Sequence, residues 1–391
     1  MSDLRVVARE LVSASQRGES VVLASVVCTE GATYRGVGAR MVVRADGTSI
    51  GLLSGGCLEA DLVERAARVR ESGKAEIVSY DGRAGEDLMW GLGIGCNGLV
   101  EILLEPRNAD RAGSLGAMLA RALDESSPRV LATVIRSSGS GAPEVGARVL
   151  VRAPMDVAHD GEWGRSGVVE AAITDAMSSQ PSERRGMNLD YVLAEESESG
   201  IDDAVMAQIA FEVIRPNVSL LVCGSGPDAI PVVRLGLSLG WDVTVVDPRP
   251  VAVLPPERFT GARVVECASS ENLGRVVATN ARTAAIVMSH NYERDLDYLG
   301  ELARSDVAYL GVLGPRARTE RMLDDLALRG RACGDGMRSR IHAPIGLDVG
   351  GDGAEAIALS IIAEISAVMH DRPGASLRER DTSIHESTSL T

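Results

Sequence analysis

Val218-Ser219-Leu220-Leu221-Val222-Cys223-Gly224-Ser225-Gly226-Pro227-Asp228-Ala229 decides the fold of the second half of this 391-residue chain. An apolar strand enters a G-x-G-x-x-A turn, and Ile230 to Leu239 continues as a helix. Trp241 to Val246 is the next strand, ending in Asp247, 23 residues past Gly224. Gly224 and Gly226 allow a tight turn and close approach to a phosphate. Asp247 stands where an acid meets a ribose hydroxyl pair, which disfavours a ribose 2′-phosphate. The pattern predicts a Rossmann-like unit, and a scaffold of that kind without a nucleotide is equally open.

Further βα units follow, with strands at 263–266, 284–288 and 307–310 and helices at 272–279 and 295–302. The strand Ala284 to Met288 ends in Ser289-His290, at a carboxyl strand end where open α/β sheets bind ligands. Gly311-Val312-Leu313-Gly314-Pro315-Arg316 places a proline in a first helical turn and Arg316 at an anion-friendly helix start. Taken singly, His290 reads as a hydrogen-bonded core histidine and Arg316 as part of a solvated helix face. Their shared edge is what points to a site. Residues 341–348 read as a loop and 354–369 as a long apolar helix. The Rossmann-like domain is thus expected over 216–370, and 371–391 as a disordered polar tail.

The first half contains an internal repeat. Val22-Leu23-Ala24-Ser25-Val26-Val27 recurs 108 residues later as Val130-Leu131-Ala132-Thr133-Val134-Ile135, and Val37-Gly38-Ala39-Arg40 recurs without a gap as Val145-Gly146-Ala147-Arg148. Two copies of one α/β unit are expected, at 1–107 and 108–215. The fold class is therefore α/β, a duplicated N-terminal unit followed by a doubly wound parallel sheet. Arg40, having a counterpart at Arg148, reads as structural.

Ser54-Gly55-Gly56-Cys57-Leu58-Glu59 joins a short strand to a helix, and Gly95-Cys96-Asn97-Gly98 precedes the closing strand of the first copy. A lone cysteine at a tight turn is usually a packing residue. The second copy, however, keeps the strand pattern and the Gly-Ala-Arg segment while lacking both cysteine turns. Groups that the fold does without belong to a site rather than to the scaffold.

Forty Lys and Arg against fifty-five Asp and Glu give a net charge of −15, which disfavours nucleic acid or an anionic membrane as the main partner. The six cysteines are scattered, with no zinc spacing, as in a reducing cytoplasm. No apolar run reaches membrane-span length. A homodimer is the base-rate expectation.

Together these stretches, with Pro344-Ile345-Gly346-Leu347-Asp348, resemble the XdhC/CoxI family of accessory and maturation proteins of xanthine dehydrogenase and carbon monoxide dehydrogenase. One departure is Asn97, where the family usually has glycine. The resemblance implies an accessory protein that binds the molybdenum cofactor (molybdopterin), guards it while its terminal sulfur is installed, and passes it to a hydroxylase apoenzyme. Cys57 and Cys96 would contact metal or sulfur, Gly55, Gly56 and Gly95 would form a backbone cradle, and Glu59 would orient the cysteine or cap the helix start. Gly224, Gly226, Asp247, Ser289, His290, Gly314 and Arg316 would complete the cofactor-binding set. A cysteine desulfurase and the molybdenum hydroxylase are the implied partners. The competing reading is an NAD-dependent oxidoreductase with His290 as acid and base. A third is a plain adaptor with a vestigial Rossmann half.

Overall fold

The structure, a computed structural model, describes residues 3–83, 98–125, 127–153, 156–164, 166–178, 187–193, 196–197, 200–201, 205–250, 256–332 and 334–379. They fall into two compact units, residues 3–216 and 217–379.

In the first unit, β1 (Val21–Gly31), β2 (Arg40–Val43), β3 (Ser49–Gly51), β4 (Glu76–Asp81) and β5 (Gly98–Arg107) form an antiparallel sheet ordered β3-β2-β1-β5-β4. A second sheet repeats that order. It contains β6 (Arg129–Ser138), β7 (Arg148–Ala153), β8 (Asp156–Asp160), β9 (Met187–Leu193) and, after the small ladder of β10 (Glu196–Ser197) and β11 (Gly200–Ile201), β12 (Val205–Ile214), arranged β8-β7-β6-β12-β9. Each sheet follows a helix, Asp3–Gln16 or Ala109–Asp124, and carries another after its third strand, Glu59–Ser72 or Ser166–Ser178. The continuous apolar run of β1 is explained by burial on both faces. Val22, Ala24 and Val26 pack toward the helix Glu59–Ser72, whereas Val21 and Leu23 join Val7, Leu11, Leu115 and Leu119 of the two leading helices. Those helices approach closely because position 116 is glycine: a Cβ there would lie 2.8 Å from the Ala8 carbonyl oxygen. Asn108 caps the second of them, its side chain accepting from the Arg111 N–H at 2.9 Å.

The two sheets are joined by reciprocal buried ion pairs. Arg40 pairs with Glu212 of the second copy, and its counterpart Arg148 pairs with Glu105 of the first. Each arginine also donates to the carbonyl of its own glycine, Gly38 at 2.9 Å and Gly146 at 2.8 Å. Arg107 extends the cluster to Glu105 at 2.8 Å and Asp160 at 2.6 Å. Such charges stay in a core only when they are paired and hydrogen-bonded.

The second unit is a parallel sheet of β13 (Ser219–Cys223), β14 (Asp242–Asp247), β15 (Arg263–Glu266), β16 (Thr283–Val287), β17 (Tyr309–Val312) and β18 (Ile341–His342), ordered β15-β14-β13-β16-β17-β18. Helices Ala229–Ser238 and Ala354–Met369 cover one face, and Tyr292–Leu302 and Arg316–Leu328 the other. This is the doubly wound Rossmann-like arrangement, with its switch point between β13 and β16.

Several boundaries differ from expectation. The closing strand β5 runs through Pro106 to Arg107, beyond Leu104 where β4 stops, so the missing proline N–H breaks no ladder toward β4. The helix expected over 272–279 is only a 3-10 turn, Ser270–Asn272, and one turn, Leu273–Val276, as Gly274 and the β-branched Val276-Val277 pair favour helix weakly. Tyr292–Leu302 starts earlier than expected because the Asn291 side chain caps it. The strand expected at 307–310 lies at Tyr309–Val312, where Tyr309 pairs with Ala284. Ile341-His342, read as loop, adds β18 to the sheet. The tail reading begins at 371, and residues 380–391 lie outside the described residues.

Candidate functional site

The topology of the first sheet gathers its glycine-rich segments at one edge. β1 ends with Gly31 opposite Gly98, the first residue of β5, while β3 ends with Gly51 opposite Met41 near the start of β2. The loop 32–39 and the turn 52–58 therefore leave the same edge. Gly82 also reaches it, donating to the Gly98 carbonyl at 3.0 Å. A Cβ on Gly98 would lie 2.6 Å from the Glu30 carbonyl oxygen, so only glycine fits where β5 begins. Gly95 and Cys96 lie outside the described residues.

The turn at Ser54 to Glu59 is folded around a carboxylate. Glu59 accepts from the Ser54 hydroxyl, from the Ser54 N–H at 2.8 Å and from the Leu53 N–H at 3.3 Å. The Ser54 oxygen in turn accepts from the N–H groups of Gly56 at 3.2 Å and Leu58 at 3.1 Å. Burial pushes the Glu59 pKa up, but these hydrogen bonds outweigh it and hold the pKa below the usual value. Gly56, at φ +108°, supplies the bend. Glu59 is thus a latch of the turn. Cys57, a free thiol, is left half-buried against the core beneath.

Tyr34 stands beside this turn. The residue is 54% exposed, and a Cβ on Gly55 would lie 3.8 Å from its ring. A soft thiol, an accessible aromatic face and glycine backbone thus occur together, a donor set suited to a flat ligand bearing sulfur or a soft metal.

The second copy closes the corresponding place. Trp163 occupies the turn after β8, 8% exposed, and its indole N–H donates to the Arg148 carbonyl at 3.1 Å. The preceding loop lies down on that turn, with the Glu144 N–H donating to the Glu162 carbonyl at 2.8 Å. In the ungapped repeat, Ala142-Pro143 stand where the first copy has Tyr34-Arg35. Sequence reasoning that sought glycines and cysteines missed Tyr34. The same comparison carried its signal.

In the second unit, Asp247 ends β14, and Gly224, Gly226, Ser289, His290, Gly314 and Arg316 follow the carboxyl ends of other strands of the same parallel sheet. Gly224, at φ +134°, is required by contact, since a Cβ there would lie 2.5 Å from the Met288 carbonyl oxygen. Two groups depart from a dinucleotide site. Asp247 is 4% exposed and already engaged by Ser225 and by Arg249, whose Nε is 2.8 Å from Oδ1. Burial pushes its pKa up, but Arg249 and Ser225 outweigh it and hold the acid ionised. Asp228 puts a carboxylate at the start of the helix Ala229–Ser238, where a pyrophosphate would sit. It is bound to His290 Nε2 at 2.7 Å, and His290 holds a left-handed φ of 59°. Ser289 donates to the buried Asp295, as does Arg318 at 2.7 Å. Arg316 is exposed and is not part of that cluster.

A cavity of about 430 Å³ opens instead beside Ser219, Trp241, Asp242 and Arg263, at the amino ends of the strands and away from these groups. Among the described residues, no cluster of three or more His, Cys, Asp and Glu side chains is placed to hold a metal ion. Nor is any helix there long and apolar enough to cross a membrane.

Residues 14–81 match the XdhC and CoxI family, and residues 220–365 match the XdhC Rossmann domain. The chain is 28% identical over 347 residues to a probable xanthine dehydrogenase subunit of Bacillus subtilis, covering 89% of this chain and 92% of that protein. It is 25% identical over 369 residues to the molybdenum cofactor insertion chaperone PaoD of Escherichia coli, covering 94% and 89%. A crystal structure of a xanthine dehydrogenase from Bacillus halodurans superposes with a TM-score of 0.71 at 26% identity, over 96% of this chain and 98% of that one. With both family models matched in order along it, the chain belongs to the XdhC and CoxI family.

Proposed function

We propose that this protein binds the molybdenum cofactor as cargo, shields it while its terminal sulfur is installed, and delivers it to a hydroxylase of the xanthine dehydrogenase type. The observation that carries the reading is the contrast between copies: an open turn with Cys57, Gly55, Gly56 and Tyr34 in one, a turn filled by Trp163 in the other. Cys57 offers a soft donor to sulfur or metal, and Tyr34 a face for the flat pterin. Cys96 joins the proposed contacts on sequence grounds alone. The similarity to PaoD, an insertion chaperone, supports the transfer role. A sulfur-donating cysteine desulfurase and a second copy of this chain are the further partners in this reading, set in the cytoplasm.

The NAD-dependent alternative draws support from Gly224 and Asp247. It is disfavoured by the carboxylate of Asp228 at the helix start and by the prior engagement of Asp247. Titration of the purified protein with molybdenum cofactor and with NAD(H) separates the two. Saturable cofactor binding, with activation of apo-hydroxylase by the loaded protein, is expected. Saturable NAD reduction without cofactor binding would overturn the reading.

A further inference from the structure

The points of the Rossmann turn that a dinucleotide would touch are occupied by groups of the second unit itself. Gly224 is packed against the turn that follows β16, for a Cβ there would lie 2.8 Å from the Ser289 Cα as well as against the Met288 carbonyl. Gly226 is the glycine whose bare backbone lets a pyrophosphate approach. Its open side is filled instead, since a Cβ there would lie 2.5 Å from Asp228 Oδ1 and 3.6 Å from the His290 ring. That carboxylate oxygen is shut off from solvent and has no hydrogen-bond partner, while Oδ2 is held by His290 Nε2 at 2.7 Å. Asp247, the acid of the ribose position, is satisfied by Ser225 of the turn and by Arg249. His290 reaches Asp228 from a left-handed φ of 59°, a conformation uncommon for a residue with a Cβ. Such a backbone persists only where its surroundings fix it. Here the buried Asp295 accepts from the Ser289 N–H at 3.0 Å and hydroxyl at 2.6 Å, and Arg318 holds Asp295 in turn.

We propose that Asp228 is a built-in occupant of the phosphate seat, an autoinhibitory contact that closes the Rossmann turn to nucleoside diphosphates, and that His290 is its latch. A helix start favours an anion, and Asp228 supplies one immediately ahead of Ala229–Ser238. A pyrophosphate would have to enter the volume over Gly226 that Oδ1 already fills, against a like charge and against the hydrogen bond from His290. The exclusion is therefore aimed at phosphate. Adenosine, which carries none, does not meet it. In this account the Ser289-His290 turn positions a carboxylate and performs no proton transfer, and the two glycines of the fingerprint make room for the protein's own turn. The inference concerns the second unit alone and does not rest on the Cys57 turn.

The test titrates NADH and adenosine into the full-length parent, into Asp228→Ala and into His290→Gly. NADH should bind Asp228→Ala at least tenfold more tightly than it binds the parent, with adenosine affinity the same in both. His290→Gly removes the latch while suiting a left-handed φ, and should move NADH affinity in the same direction. Gains in two variants altered at points 62 residues apart, with adenosine unchanged, cannot come from a loosened fold. NADH binding to the parent as tight as to Asp228→Ala would overturn the plug. So would an equal gain for adenosine, because it would show a general opening rather than a vacated phosphate seat. A gain in Asp228→Ala with none in His290→Gly would overturn the latch. Molybdenum cofactor is titrated in parallel and should bind Asp228→Ala with parental affinity. Its failure to bind the parent would count against the proposed function and leave the plug standing on the NADH measurement.

Discussion

Arg148 on β7 and Glu105 on β5 meet across the two copies of the first unit, Nη1 to Oε1 at 2.9 Å, with both side chains buried. Arg40 and Glu212 repeat the contact in the opposite sense. Removing one partner leaves an uncompensated buried charge. Glu105→Gln should therefore lower unfolding stability by about 3–5 kcal/mol. Glu293→Gln, which breaks the exposed pair with Arg329, should cost far less, because solvent screens both charges. Urea denaturation of the two variants checks the ordering.

The same pair sets an acid limit. Burial alone would raise the Glu105 pKa, but Arg148 and Arg107 outweigh it and lower it to about 2. A carboxylate depressed in the folded state contributes stability above its unfolded pKa of about 4.3 and loses it as pH falls toward the folded value. Unfolding free energy should decline between about pH 4 and 2. In Glu105→Gln this part of the decline should be absent, which chemical denaturation across that window would measure.

Gly38 and Gly146 hold matching left-handed φ angles of +90° and +89°, and a Cβ on either would collide with the carboxylate of the facing glutamate. Alanine at either position should cost at least about 1–3 kcal/mol from backbone strain, before the ion pair is disturbed. Comparable losses from both variants are expected in thermal unfolding. A loss at only one would mean the copies are not equivalent in packing.

Tyr34 and Trp163 test the proposed division of site from scaffold. Tyr34→Ala, at an exposed ring, should leave the melting temperature nearly unchanged and weaken binding of molybdenum cofactor. Trp163→Ala should cost about 3–5 kcal/mol of stability. Cofactor affinity measured below its melting point should stay at the parent value.

Much of this architecture was legible because it is written in local pattern. The Gly224 turn, the carboxyl strand ends and the ungapped recurrence of Val-Gly-Ala-Arg each lie within a few residues. What could not be read depends on partners distant along the chain. Glu212 lies 172 residues from Arg40, and Asp228 lies 62 from His290. The second contact changes the meaning of the fingerprint, since it fills a phosphate position with a carboxylate. Spacing alone marks Asp247, but its engagement by Arg249 depends on how the chain turns after β14. The hydrogen bonds of Glu59 run to Ser54 and to the Leu53 N–H, partners that the motif alone does not name. Tyr34 went unnoticed because a lone tyrosine in a loop carries no motif.

In the proposed function, the Cys57 turn holds the cofactor. Equilibrium titration of molybdenum cofactor into the parent protein and into Cys57→Ala, with Trp163→Phe as a scaffold control, tests it most directly. At least tenfold weaker binding in Cys57→Ala, with near-parental affinity in the control, is the expected result. Equal affinity in the parent and Cys57→Ala would contradict it.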